Sequence, residues 1–106
     1  MASVLVMTTL PDEISARALA QALVESGLAA CVNVLGACRS IYRWQGAVEE
    51  ANEVPLLIKT RTERYAELES LILGMHPYQV PEIIALPVER GLPAYLAWLD
   101  EATAGP

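Results

Sequence analysis

The order of the apolar segments constrains this chain more than any other feature. They run strand-like, helix-like, two strand-like stretches about a tight turn, helix-like, and strand-like again. Residues 3–9, Ser-Val-Leu-Val-Met-Thr-Thr, are short and β-branched and predict a strand. Ala16, Leu19, Ala20 and Leu23 then recur at helical spacing, with Arg17, Gln21 and Glu25 on the other side. Pro11 suits the first turn of that helix, Asp12 and Glu13 suit its positive end, and Gly27 is its expected stop.

Residues 29–44 read as strand again, bent or bulged at Gly36. Gln45-Gly46 predicts a tight turn, and residues 47–59 return to complete a long hairpin. Pro55 has no N–H to give a ladder, so its strand is expected to be an edge or to carry a bulge there. Thr60-Arg61-Thr62-Glu63 has the form of a capping box for a helix with Tyr65, Leu68, Leu71, Ile72 and Met75 on one face. Residues 83–88 predict the last strand. Leu92-Pro93 opens a short helix with Tyr95, Trp98 and Leu99 on one side, and residues 102–106 read as a frayed tail. Two α-crossovers around a hairpin make an α+β chain: a ferredoxin-like βαββαβ split sandwich with an extra C-terminal helix, one domain over residues 1–106.

Composition narrows the function classes. With 54% hydrophobic and 19% charged residues the chain is expected to fold rather than to stay disordered. No apolar stretch approaches the ~20 residues of a membrane span, and no basic segment precedes an apolar run at the N-terminus, so no membrane is expected and a cytoplasmic location is. A net charge of -6, with a single lysine and scattered arginines, argues against nucleic acid as partner. Cys31 and Cys38 lie seven apart in one strand-like stretch, about 23 Å if straight, too far for a disulfide.

Both faces of the expected sheet are apolar. Val4 and Val6 alternate with Leu5 and Met7; Val54, Leu56 and Ile58 alternate with Leu57; Ile83 and Ala85 alternate with Ile84 and Leu86. The two crossover helices cover one face, and one short helix cannot cover four strands. A homo-oligomer packing sheet on sheet is the expectation, with the hairpin Tyr42-Arg43-Trp44 reaching a neighbour.

The only histidine opens the run His76-Pro77-Tyr78-Gln79-Val80-Pro81-Glu82, in which two prolines hold an imidazole, a phenol, an amide and a carboxylate in a stiff extended connection. That run, with Ile83-Ile84, resembles the CutA family. So do Ala29-Ala30-Cys31-Val32-Asn33, Ser40-Ile41-Tyr42-Arg43-Trp44-Gln45-Gly46, Leu57-Ile58-Lys59-Thr60 and Tyr95-Leu96-Ala97-Trp98-Leu99. The resemblance covers almost the whole chain, in order. It implies a homotrimer of ferredoxin-like subunits with sheets packed around a threefold axis, an architecture like that of PII signalling proteins. It also implies a role in divalent-cation tolerance, binding copper or another divalent cation, or a small ligand in the cleft between subunits. The alternative it leaves is a PII-like regulatory or structural trimer that acts through a protein partner without binding metal. No reaction is established for the family, and the chain has no nucleophile elbow, P-loop, dinucleotide fingerprint or HExxH; no enzyme is expected.

Copper-linked relatives carry a cysteine late in the first strand and a second histidine before the His-Pro-Tyr run, where this chain has Thr8 and Met75. The metal candidates are therefore His76, Met75 as a soft thioether, and Cys31. For an inter-subunit ligand cleft the candidates are Tyr42, Trp44, Glu53, Lys59, Tyr78 and Glu82. Lys59, ending an apolar strand beside a helix N-terminus, suggests an anion site. If Glu82, Lys59 and Trp44 of neighbouring chains meet in one cleft, a small charged ligand is expected to bind there.

Overall fold

Eight residues of alternating burial form the first strand, β1 (Ser3–Leu10), and everything else is arranged about it. The computed structural model describes residues 2–105; the ends of the expected N-terminal segment and tail, Met1 and Pro106, lie outside it. Helix α1 (Glu13–Glu25) follows, its N-cap Asp12 accepting the Ser15 N–H at 2.7 Å. Its buried residues are the four expected: Ala16, Leu19, Ala20 and Leu23. The helix stops where Gly27 takes a φ of 75°.

Strands β2 (Cys31–Val34) and β3 (Cys38–Trp44) are one extended stretch broken around Gly36. Gln45 and Gly46 both have positive φ, 49° and 82°, which a two-residue turn needs to match the twist of its strands. The chain returns through β4 (Ala47–Arg61), a 15-residue strand that pairs with β3, then β2, along one side and with β1 along the other. The order is β2-β4-β1-β5, with β5 (Ile84–Pro87) antiparallel to β1, which is the ferredoxin-like arrangement. Pro55 lies inside this central strand, at the gap between β2 and β3. Its carbonyl accepts the Leu35 N–H at 3.0 Å, and the missing donor falls where no ladder runs.

One expected device is absent. Thr60 does not begin a capping box, because its side chain is buried on the sheet, donating to the Leu28 carbonyl at 2.7 Å. The strand therefore runs on to Arg61, and a 3-10 turn (Thr62–Arg64) with no side-chain cap leads into α2 (Tyr65–Met75). Leu68 and Ile72 are fully buried, but Met75 is 42% exposed and is no part of the core face.

Helices α1 and α2 pack on the face that carries Val6, Leu10, Leu56 and Ile58. Burying each such side chain contributes about 1.5–3 kcal/mol. Helix α3 (Pro93–Ala102) lies over one end of the opposite face, where Leu99 is buried. The tail after it is not frayed: the Arg61 Nε and Nη2 donate to the Thr103 carbonyl at 3.2 and 2.8 Å. Arg64 donates to the same oxygen at 2.8 Å and to the Ala104 carbonyl at 2.7 Å. Two guanidinium groups thus meet the free carbonyls and negative dipole end of α3. Beyond α3 the second face stays open, with Ile84 and Leu86 each 48% exposed. Among the described residues no helix is long and apolar enough to cross a membrane.

Candidate functional site

Pro77 drives His76 out of the α region, so α2 ends with His76 at φ −80°, ψ 133°. Its ring then bridges two elements. Nε2 lies 2.8 Å from the Thr9 carbonyl, and the Tyr78 N–H donates to Nδ1 at 3.2 Å. A carbonyl only accepts and an amide only donates, so the ring is the neutral tautomer with its proton on Nε2. Burial pushes its pKa below the ordinary 6.5, against the Thr9 bond and the nearby Glu53 charge. Neither nitrogen keeps a free lone pair. As a metal ligand His76 would have to break one of these bonds. In this structure it is a strut that fixes Tyr78, whose ring sits 4.8 Å from its own.

What Tyr78 is fixed against is Glu53. The Tyr78 hydroxyl donates to Oε2 of Glu53 at 2.8 Å, and the Thr9 hydroxyl donates to the same oxygen at 3.1 Å. Glu53 is only 8% exposed. Burial pushes its pKa up, yet hydrogen bonds from Ser40, Tyr78 and Thr9, with His76 nearby, outweigh that and hold the carboxyl below its ordinary 4.5. Tyr78 responds in the opposite sense: burial and then the Glu53 charge raise its phenol well above 10. Glu53 is thus a buried anion, and among the described residues no cation pairs with it. The ion pairs there are Arg17–Glu13, Arg39–Glu50 and Arg64–Glu67.

A groove of about 670 Å³ opens beside this carboxylate. Strand alternation places Ser40, Tyr42 and Trp44 on one face of β3, and the register sets Glu49 opposite Tyr42 and Glu53 opposite Cys38. The other wall comes from the proline-rich run, through Tyr78, Gln79, Val80 and Glu82. Five expected cleft residues, Tyr42, Trp44, Glu53, Tyr78 and Glu82, therefore meet within one subunit. Gln79 of the proline-rich run also lines the groove, as do Thr9, Ser40 and Glu49, which were not singled out as site residues in the sequence. Ser40 and Glu49 were findable, because one stands two residues before Tyr42 and the other across the hairpin from it.

Lys59 is not in the groove. Its side chain lies on the other end of the second face, donating to Asn33 Oδ1 and 3.9 Å from Cys31 Sγ. Alternation along β4 points it away from the face on which α2 packs, so it forms no anion site with that helix. Within one subunit Lys59 does not join Glu82 and Trp44. Cys31 sits with Lys59 and near Tyr95, whose phenol is raised by burial and by the Cys31 side chain. Met75 points to solvent. His76, Met75 and Cys31 do not converge, and among the described residues no three His, Cys, Asp or Glu side chains are grouped to hold a metal ion. Thr8 is fully buried, and among the described residues its hydroxyl has no partner.

Known proteins match both the sequence and this fold. The CutA1 divalent ion tolerance protein family matches residues 4–102. The divalent-cation tolerance protein CutA of Thermus thermophilus is 51% identical over 98 residues, covering 92% of this chain and 95% of that protein. Protein CutA of Mus musculus is 46% identical over 95 residues, which is 90% of this chain; the chain spans 54% of the mouse protein. The solved structure of the divalent cation tolerance protein (Cut A1) from Thermus thermophilus superposes with a TM-score of 0.94 at 50% identity, covering 95% of this chain and 98% of that one. With family, relative and solved structure in agreement over nearly its full length, the chain belongs to the CutA1 divalent ion tolerance protein family.

Proposed function

We propose that this protein is a non-enzymatic homotrimer serving divalent-cation tolerance, and that the groove beside Glu53 is its binding site for a small ligand. The observation that carries the site is the buried, charged Glu53, with no cation paired to it among the described residues, set in the wall of a groove of about 670 Å³. Buried charges are ordinarily paired, and the groove that Glu53 lines is open to such a partner. A preformed copper centre in one subunit has less support, since both nitrogens of His76 are engaged and Cys31 and Met75 lie elsewhere. Copper or another divalent cation bound within a trimer would need ligands brought by more than one subunit.

Trimer formation is supported by the open second face, on which Leu5, Met7, Leu57, Ile84 and Leu86 form a continuous apolar surface. The hairpin supports it as well, since Ile41 and Val48 are 66% and 65% exposed on the side away from Tyr42. Those same residues are what favour the second reading, in which the trimer is a PII-like platform for a protein partner. Light scattering tests the assembly: a mass near three times 11.5 kDa is expected, falling to the monomer in Leu86→Asp. Calorimetric titration with Cu²⁺ then separates the readings. Heat that disappears in Glu53→Gln supports the groove, heat that disappears only in His76→Ala supports a metal site there, and the absence of heat removes copper from the reading while leaving a small organic ligand to be titrated separately.

A further inference from the structure

The groove has a chemical bias that narrows its ligand. Its aromatic side chains are Tyr42, Trp44 and Tyr78, its charged ones are Glu49, Glu53 and Glu82, and no Lys, Arg or His lines it. The nearest arginines on the hairpin, Arg39 and Arg43, alternate onto the opposite face of β3. His76, the nearest imidazole, is fixed as the neutral tautomer by its bonds to Thr9 and Tyr78. Among the described residues of one subunit, nothing therefore supplies positive charge to the groove. An anionic ligand such as a nucleotide or dicarboxylate would face three carboxylates with no counter-charge.

Resting on the reading that this groove is a binding site, we propose that it takes an organic ammonium ion, with the cationic head against the rings of Tyr42, Trp44 and Tyr78 and the Glu53 carboxylate as its counter-charge. Two further observations point the same way. First, Tyr42 and Trp44 are 41% and 38% exposed, so ring surface is presented to the groove instead of being spent in the core. A weakly hydrated alkylammonium gains from such ring faces. A small divalent ion needs six or more oxygens around it, and the carboxylates here do not converge to supply them. Second, Glu53 is more than nine-tenths buried, and the Thr9 and Tyr78 hydroxyls donate to its Oε2. Those donors orient the carboxylate and keep it ionised, and they leave its charge uncompensated. The cation completes the ion pair that the fold leaves open, while Glu49 and Glu82 bias the rim toward positive charge.

The test uses the full chain carrying Trp98→Phe, so that the remaining tryptophan, Trp44, reports on the groove. Titration with tetramethylammonium and with n-butylammonium is expected to change its fluorescence saturably, and butyrate to leave it unchanged. Glu53→Gln is expected to weaken both cations about tenfold or more. Tyr42→Leu, which leaves the Glu53 hydrogen bonds intact, is expected to weaken tetramethylammonium more than n-butylammonium. Circular dichroism confirms that each variant folds. Binding of the ammonium ions that survives Glu53→Gln unchanged, or no binding at all, overturns the proposal. If butyrate, glucose or Cu²⁺ moves the signal in a Glu53-dependent way while the ammonium ions do not, the ligand class fails and the groove stands as a site. If none of these probes moves it, both fail together.

Discussion

Strand β4 buries two charged side chains on the same face of the sheet, one at its end and one near its middle, and treats them differently. At one end Arg61, 8% exposed, donates through Nε and Nη2 to the carbonyl that ends α3. Near the middle Glu53, also 8% exposed, accepts the Thr9 and Tyr78 hydroxyls on Oε2 and faces a groove. Neither has an oppositely charged side chain among the described residues. The helix dipole and free carbonyls of α3 finish the first arrangement and make it structural. The second is hydrogen-bonded well enough to stay charged and is left without a counter-ion, which is the pattern of a site.

That contrast breaks if the two charges respond alike to removal. Arg61→Ala is expected to cost the most, about 2–3 kcal/mol by guanidinium denaturation, because a charged donor is taken from a buried carbonyl. Next comes His76→Ala, expected to cost about 1–3 kcal/mol at pH 8 by leaving the Thr9 carbonyl and Tyr78 N–H unpaired. His76 also sets a pH dependence. Its folded pKa lies below 6.5, so the folded state binds fewer protons than the unfolded one. The stability it contributes is whole above pH 6.5 and declines as pH falls below that value, and the variant should lose this part of the slope. Glu53, held below 4.5, adds a second decline only below pH 4.5. A wild-type stability flat from pH 7 to pH 5 would count against the fixed neutral ring.

Smaller effects sharpen the picture. Thr8→Val keeps the shape and removes an unpartnered buried hydroxyl, so a gain of about 1 kcal/mol in denaturant melts is expected. Glu53→Gln should change stability by less than ~1 kcal/mol, since it keeps an acceptor for Tyr78 and Thr9 and removes an uncompensated charge. A loss as large as that of Arg61→Ala would make Glu53 a structural residue and end its reading as a site.

Much of this was legible along the chain. The strand and helix order, the α1 stripe of Ala16, Leu19, Ala20 and Leu23, the positive-φ turn at Gln45-Gly46 and the helix stop at His76 all follow from local sterics and periodicity. The apolar alternation on both sheet faces announced that α1 and α2 would leave one face uncovered. Thr60 was misread because a capping box and a buried strand threonine look the same in sequence; only the Leu28 carbonyl beside it decides. The tail at Thr103 was misread because its partners, Arg61 and Arg64, come from about forty residues earlier.

The sequence by itself determined which residues have the chemistry of a site and that Tyr42 and Trp44 share a face, since alternation and turn geometry are short-range. Tertiary structure alone decided which of them meet. Glu53, Thr9 and Tyr78 come from β4, β1 and the segment after α2, and they converge because the β1–β4 register and the His76–Thr9 bond bring those ends together. The same packing turned Lys59 toward β2 and engaged both nitrogens of His76. Hydrogen-bond partners set by long-range pairing, which no local pattern encodes, made His76 a strut and Glu53 the charge at the centre of the groove.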